Sequence, residues 1–165
     1  MVFQMKELKR SEQREQAFAI IFERIFNDVP LDELMDNALL ARDFELCDYA
    51  QKTAEGVAQN LAEIDAQIEQ YAVGWKKQRF SRVALAILRL AVYEMKFSKD
   101  VPVAVAVNEA VELAKKFATP ADASFINGIL GSISRAQSEV QPAEAPMCEE
   151  PKLSGEAAPV QENEQ

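Results

Sequence analysis

The sequence predicts an all-α protein, a compact two-part helical bundle followed by a disordered acidic tail. Three observations carry this. Apolar residues recur at helical spacing from Ala17 to Ile133. No stretch alternates apolar and polar residues over strand lengths between turn signals. With five glycines and seven prolines in 165 residues, four of the prolines beyond position 140, the body is too poor in turn formers for an all-β fold. An apolar content of 48% is ample for one core at this length.

The elements follow in order. A first helix is predicted over Glu12–Phe26, with Ala17, Ile20, Ile21, Arg24 and Ile25 on its inward side. Asn27-Asp28-Val29-Pro30 stops it with turn-forming side chains and a proline. A shorter helix begins at Pro30 or Leu31 and carries Leu34, Met35, Ala38 and Leu39. After a break at Arg42-Asp43, one long helix is predicted from Phe44 to Ala72, striped by Phe44, Cys47, Ala50, Ala54, Val57, Leu61, Ile64, Ile68 and Tyr71. Gly56 within it costs roughly 1 kcal/mol against alanine, which implies a close helix–helix contact as compensation. Val73-Gly74-Trp75 ends that helix, and Trp75–Arg79 reads as a basic linker bearing an aromatic.

Ser81 is placed to cap the next helix. Val83 to Val92 is apolar on every side except at Arg89, the mark of a central core helix, and is too short to span a membrane. Pro102 pushes Val101 out of helical geometry and starts a further helix striped by Val103, Val107, Val111, Ala114 and Phe117. Thr119-Pro120 provides a cap and a first helical residue for the last helix, Ala121–Arg135, with Phe125, Ile126, Ile129, Leu130 and Ile133 inward or at its edge. Gly128 and Gly131 are expected to admit a close neighbour. The body, residues 1–137, thus divides into halves at about 10–73 and 74–136. From Ser138 to Gln165, Pro, Glu, Ala and Gln dominate, and the segment is expected to be disordered.

The net charge of −9 is uneven: seven Glu and one Lys after Gln137 leave only −3 on the body. A nucleic-acid site must therefore be a local patch. The chain has no histidine, so neither a Ser-His-Asp triad nor a His-ligated metal exists in it. Cys47 and Cys148 lie a hundred residues apart; Cys47 reads as a small buried hydrophobe, and no disulfide is expected. Phosphate-cradling glycine motifs are missing, and the many carboxylates sit among Lys and Gln on helix faces. The expectation is a non-enzymatic protein without cofactor or metal. The first residues carry no apolar run before a small-residue cleavage site, which fits a cytoplasmic setting.

Three words stand in order along the chain: Ile87-Leu88-Arg89-Leu90-Ala91 with Tyr93-Glu94; Val101-Pro102 with Val107–Lys115, VNEAVELAK; and Phe125–Leu130, FINGIL. Together they resemble the NusB family of bacterial transcription antitermination factors, densely over about 80–131 and more loosely over 10–72. The resemblance implies two small helical bundles packed at an angle. It implies a function: binding single-stranded boxA-like RNA together with NusE, a ribosomal small-subunit protein, thereby engaging the elongating RNA polymerase indirectly in support of ribosomal RNA synthesis. It implies neither a membrane role nor a choice between monomer and homodimer.

Site residues follow residue by residue. Arg10 and Arg14 match the family's arginine-rich RNA stretch, although Ser11 and Glu12 replace arginines common there, and Lys9 belongs to the same N-terminal basic cluster and is expected to join the RNA contact. Phe125 matches an aromatic that stacks on an unpaired base, and Lys115 and Lys116 stand near enough in sequence to serve phosphates. Phe22 and Ala84 match positions that meet NusE, with Ala84 replacing a common carboxylate. Read from the residues alone, Phe125 suits a core as well, and the two lysines suit a helix C-terminus. Arg89 is expected to form a structural ion pair with Glu94 or Glu109. Two other classes remain open: a helical adaptor without RNA binding, and a module associated with an RNA methyltransferase. Because apolar periodicity ends near Ile133, removal of all residues after Gln137 should leave the melting temperature within a few degrees; a large loss of helicity would show that the tail docks.

Overall fold

The computed structural model describes residues 8–42, 46–72, 74 and 80–140, which form seven helices and no strand. They are α1 (Arg10–Phe26), α2 (Leu31–Arg42), α3 (Asp48–Gln59), α4 (Leu61–Tyr71), α5 (Arg82–Phe97), α6 (Val103–Phe117) and α7 (Pro120–Val140). Trp75–Arg79, Phe44, Cys148 and the tail beyond Val140 lie outside the described residues.

Helix α5 is the spine. It packs against α1, α3, α4, α6 and α7, and Ala84, Ala86, Ile87, Leu88, Leu90, Ala91 and Val92 are all buried. Ser81 caps it as expected, its Oγ accepting the Ala84 N–H at 3.0 Å. Thr119 Oγ1 accepts the Asp122 N–H at 3.1 Å at the start of α7. The two starts are tied together, because Ser81 Oγ and Thr119 Oγ1 both donate to Asp122 Oδ2, at 3.1 and 3.0 Å. Pro102 caps α6 in extended geometry, with Val101 buried before it. A smaller cluster of Ile20, Leu34, Ala38 and Ala54 joins α2 to α1 and α3.

Five expectations are corrected. The long helix is two, broken at Asn60, whose φ of −110° and ψ of 18° leave the helical region. Its backbone N–H and its Nδ2 both donate to the Gly56 carbonyl, at 3.1 and 2.8 Å, so one side chain closes α3. Its carbonyl then accepts the Ile64 N–H to open α4. Cys47 is accordingly not inside a helix but caps α3, half-buried, with Sγ 3.4 Å from the Ala50 nitrogen. In α6 the buried line is Ala106, Ala110, Leu113 and Ala114 rather than the valine stripe. Small side chains let that helix lie close to its neighbours, while Val103 and Val107 flank the contact and Phe117 is 42% exposed. Gly128 and Gly131 admit no close neighbour: a Cβ at Gly128 would meet nothing within 4 Å, and one at Gly131 only the Arg135 guanidinium at 3.5 Å. Finally, α7 runs past the expected boundary at Gln137 to Val140.

Gly56 does mark a close approach. A Cβ there would collide with the Tyr93 ring of α5, which itself stacks on Phe97 at 5.7 Å between centroids. Gly56→Ala should therefore destabilise the fold by about 1–3 kcal/mol despite alanine's better helix propensity. Urea denaturation should show the same change to be neutral or stabilising when Tyr93 is first shortened to Ala; equal losses in both backgrounds would mean the contact is not the cause.

Candidate nucleic-acid interface

The start of α1 carries the N-terminal cations. Lys9 precedes the helix, and its backbone N–H donates to Glu12 Oε2 at 2.8 Å. Arg10 is exposed; its Nη1 donates to Gln13 Oε1 at 3.1 Å, and its guanidinium carbon lies 4.3 Å from the centroid of the Tyr49 ring. Among the described residues no carboxylate pairs with it.

Arg14 is different. It is 4% exposed, and its Nε donates to both carboxylate oxygens of Glu94, at 2.9 and 3.2 Å. Its Nη1 lies 3.3 Å from Glu109 Oε2. Glu94 is 1% exposed and also accepts the Tyr49 hydroxyl proton. Burial first, and then the Glu94 carboxylate, push the Tyr49 hydroxyl well above its ordinary pKa, so it stays a protonated donor. The expectation that Arg14 meets RNA phosphate is thus corrected: the guanidinium is sealed inside, neutralising a carboxylate that burial would otherwise make costly. The signal lay in the spacing, since Arg14 stands three, four and seven residues before the buried Ala17, Phe18 and Ile21.

The structural pair expected for Arg89 is corrected as well. Arg89 and Glu94 are five residues apart, roughly 140° around the helix, and so face different neighbours. Arg89 makes a two-pronged contact with Asp65 of α4, Nε to Oδ1 and Nη2 to Oδ2, each 2.9 Å. Glu94 and Glu109 belong to Arg14 instead.

The remaining candidates lie on the surface or its edge. Lys115 is exposed and bonds Glu112 at 2.7 Å, one turn back on the same helix. Lys116 reaches across to Glu15 of α1 at 2.6 Å, with its ammonium 5.4 Å from the Phe117 ring centroid. Phe125 is half-buried at the start of α7, packed against Phe80 at 4.8 Å beside the Ser81–Asp122 bond. Phe22 is half-buried between Phe18 and Phe26, at 5.8 and 5.0 Å. Ala84, in contrast, is fully buried in the first turn of α5 and offers a partner nothing to touch. Overlooked in the sequence was an aromatic strip: phenylalanines four apart on α1, extended by Phe117 stacked on Phe18 at 5.0 Å, and ending in Phe26, 53% exposed beneath the Arg82 guanidinium. The spacing of 18, 22 and 26 was the available signal.

Since Arg14 is structural, Arg14→Ala should lower stability by about 3–5 kcal/mol by stranding Glu94. The double change Arg14→Leu with Glu94→Leu should recover much of that loss. Denaturation of the two variants beside the native chain checks this, and equal stability of Arg14→Ala and the native chain would remove the pair from the core.

The model of the NusB family matches residues 11–135. A transcription antitermination protein NusB from Listeria monocytogenes serotype 4b is 42% identical over 127 residues, spanning 77% of this chain and 97% of the relative. The namesake from Agathobacter rectalis is 38% identical over 131 residues, 77% of this chain and all of the relative. Among solved structures, NusB of T. maritima superposes with a TM-score of 0.70 at 32% identity, covering 79% and 93% of the two chains. A chain from a structure of antitermination factors NusB and NusE in complex with double-stranded RNA superposes at 0.69 with 27% identity, covering 77% and 96%. On a match of this extent, the chain belongs to the NusB family.

Proposed function

We infer that this protein is a transcription antitermination factor that holds single-stranded boxA-like RNA together with a NusE protein and so supports ribosomal RNA transcription, touching the polymerase only through that assembly. The observation that carries the reading is a family match over residues 11–135 combined with an exposed guanidinium at Arg10 that no carboxylate among the described residues neutralises. A structural relative is described with both NusE and RNA, which supports the same pairing here. Lys9 and Arg10 would meet phosphates, with Lys115 and Lys116 adding to them once their carboxylates let go; the Phe125 edge would meet a base. Phe22 and the exposed Phe26 would meet the protein partner, since aromatic side chains are favoured in such contacts. The role is binding, in the cytoplasm, without catalysis. No helix among the described residues is long and apolar enough to cross a membrane.

One observation favours a second reading, a helical adaptor without RNA affinity. Both Lys115 and Lys116 already hold carboxylates, which leaves few free cations. A titration of boxA RNA at several salt concentrations, with and without NusE, separates the two. The antitermination reading expects salt-dependent binding that NusE tightens, and a fall in slope of about 0.7 for Arg10→Ala. It also expects Phe125→Ala to weaken binding by about 1–3 kcal/mol. Salt-independent or absent RNA binding in the presence of NusE would overturn it in favour of the adaptor.

A further inference from the structure

The Arg10 guanidinium has an unusual mount. An arginine in the first turn of a helix opposes the helix dipole, so the dipole of α1 does not favour it there. Yet its guanidinium lies 4.3 Å from the centroid of the Tyr49 ring, on the first turn of α3, while Gln13 takes one of its donors. The ring is not free to tilt. Its hydroxyl donates to Glu94, which is buried and fixed by two bonds from Arg14. The Arg14 guanidinium also lies 6.0 Å from the same ring. A chain of contacts therefore runs from the core to the surface: Arg14 fixes Glu94, Glu94 fixes Tyr49, and the ring of Tyr49 supports Arg10.

We propose that Tyr49 is a positioning residue for the RNA contact of Arg10, a buried-anchored platform that holds the guanidinium flat with its remaining N–H edge turned to a phosphate. A planar guanidinium stacked on a ring keeps its donors in the guanidinium plane, where a phosphate takes two at once. An arginine already held in one place loses less side-chain freedom when it binds, which strengthens the complex without adding a contact. Tyr49 itself touches no RNA in this arrangement. The inference rests on the RNA-binding reading and is separable from it.

The test compares Arg10→Ala, Arg10→Lys, Tyr49→Phe and Tyr49→Leu in the full chain with NusE present. The readouts are boxA RNA affinity over a salt series and thermal melting. Arg10→Ala should weaken binding and lower the salt slope by about 0.7. Arg10→Lys keeps the charge and loses the plane, so the slope should hold while affinity falls roughly 3- to 10-fold. Tyr49→Leu should reproduce that pattern, and in the Arg10→Ala background it should cost nothing more. Tyr49→Phe keeps the ring and should bind better than Tyr49→Leu. If Tyr49→Leu binds as the native chain does while Arg10→Ala is impaired, the positioning role falls and the RNA reading stands. If Arg10→Ala binds unchanged, Arg10 is not a contact and the inference falls with it. Should Tyr49→Leu fail to fold, the native chain decides: an Arg10 Nε–H resonance displaced by the aromatic ring supports the stack, and one at its random-coil position overturns it.

Discussion

The Arg14–Glu94 pair sits where α1 and α5 cross, with Glu109 of α6 and Tyr49 of α3 completing the contact. Taking both charges out of water is expensive, and the pair is tolerable only because each side is heavily bonded. Glu94 accepts from two residues; Arg14 spends donors on two carboxylates. That requirement is directional in a way that apolar packing is not. Leucine and alanine on α5 would accept several rotations of a neighbouring helix, whereas the ion pair accepts one. The register of α1 on the spine, and of α3 and α6 against both, is therefore set by this cluster, with the apolar contacts supplying the bulk of the stabilisation around it.

A second polar device acts at the other end of the spine. Asp122 receives the hydroxyls that cap both α5 and α7, so two helix starts share one carboxylate. Phe80 and Phe125 pack directly beside it. The position of the Phe125 ring thus follows from capping chemistry at Ser81, next to Phe80, and at Asp122, three residues before Phe125 itself. Between these two polar anchors, α5 contributes little besides apolar surface and the Arg89–Asp65 bridge to α4.

What was legible in the sequence was mostly short-range. Ser81, Pro102 and Thr119 mark helix starts by chemistry confined to a few neighbouring residues, and each stands where that chemistry puts it. The central helix was legible because apolar residues surround it. Gly56 announced a contact, although not that the partner is the ring of Tyr93. The misses share a cause. The role of Arg14 depends on a carboxylate eighty positions away being buried, and the partner of Arg89 depends on how α5 is rotated. The division of α3 from α4 turns on one asparagine side chain preferring the Gly56 carbonyl to water. On α6 the valines outweighed the alanines in hydrophobicity, but closeness of approach rather than side-chain size chose the inward face. Motif order identified the family; it did not distinguish a surface arginine from a buried one in the same stretch.

The two exposed lysine bridges, Lys115 to Glu112 and Lys116 to Glu15, bear on how an anionic polymer is gained by an acidic protein. A bare surface lysine displaces a condensed cation from the nucleic acid and sends it into solution, which is the entropic source of steep salt dependence. A lysine that leaves a carboxylate to meet a phosphate exposes a new anion, and that anion recruits a cation in turn. The exchange is nearly neutral in ions released. On such a surface, raising the salt loosens the internal bridge along with the complex, so the two effects oppose each other. Were such lysines to meet phosphate, cations counted along the chain would overstate the ionic sensitivity of the complex.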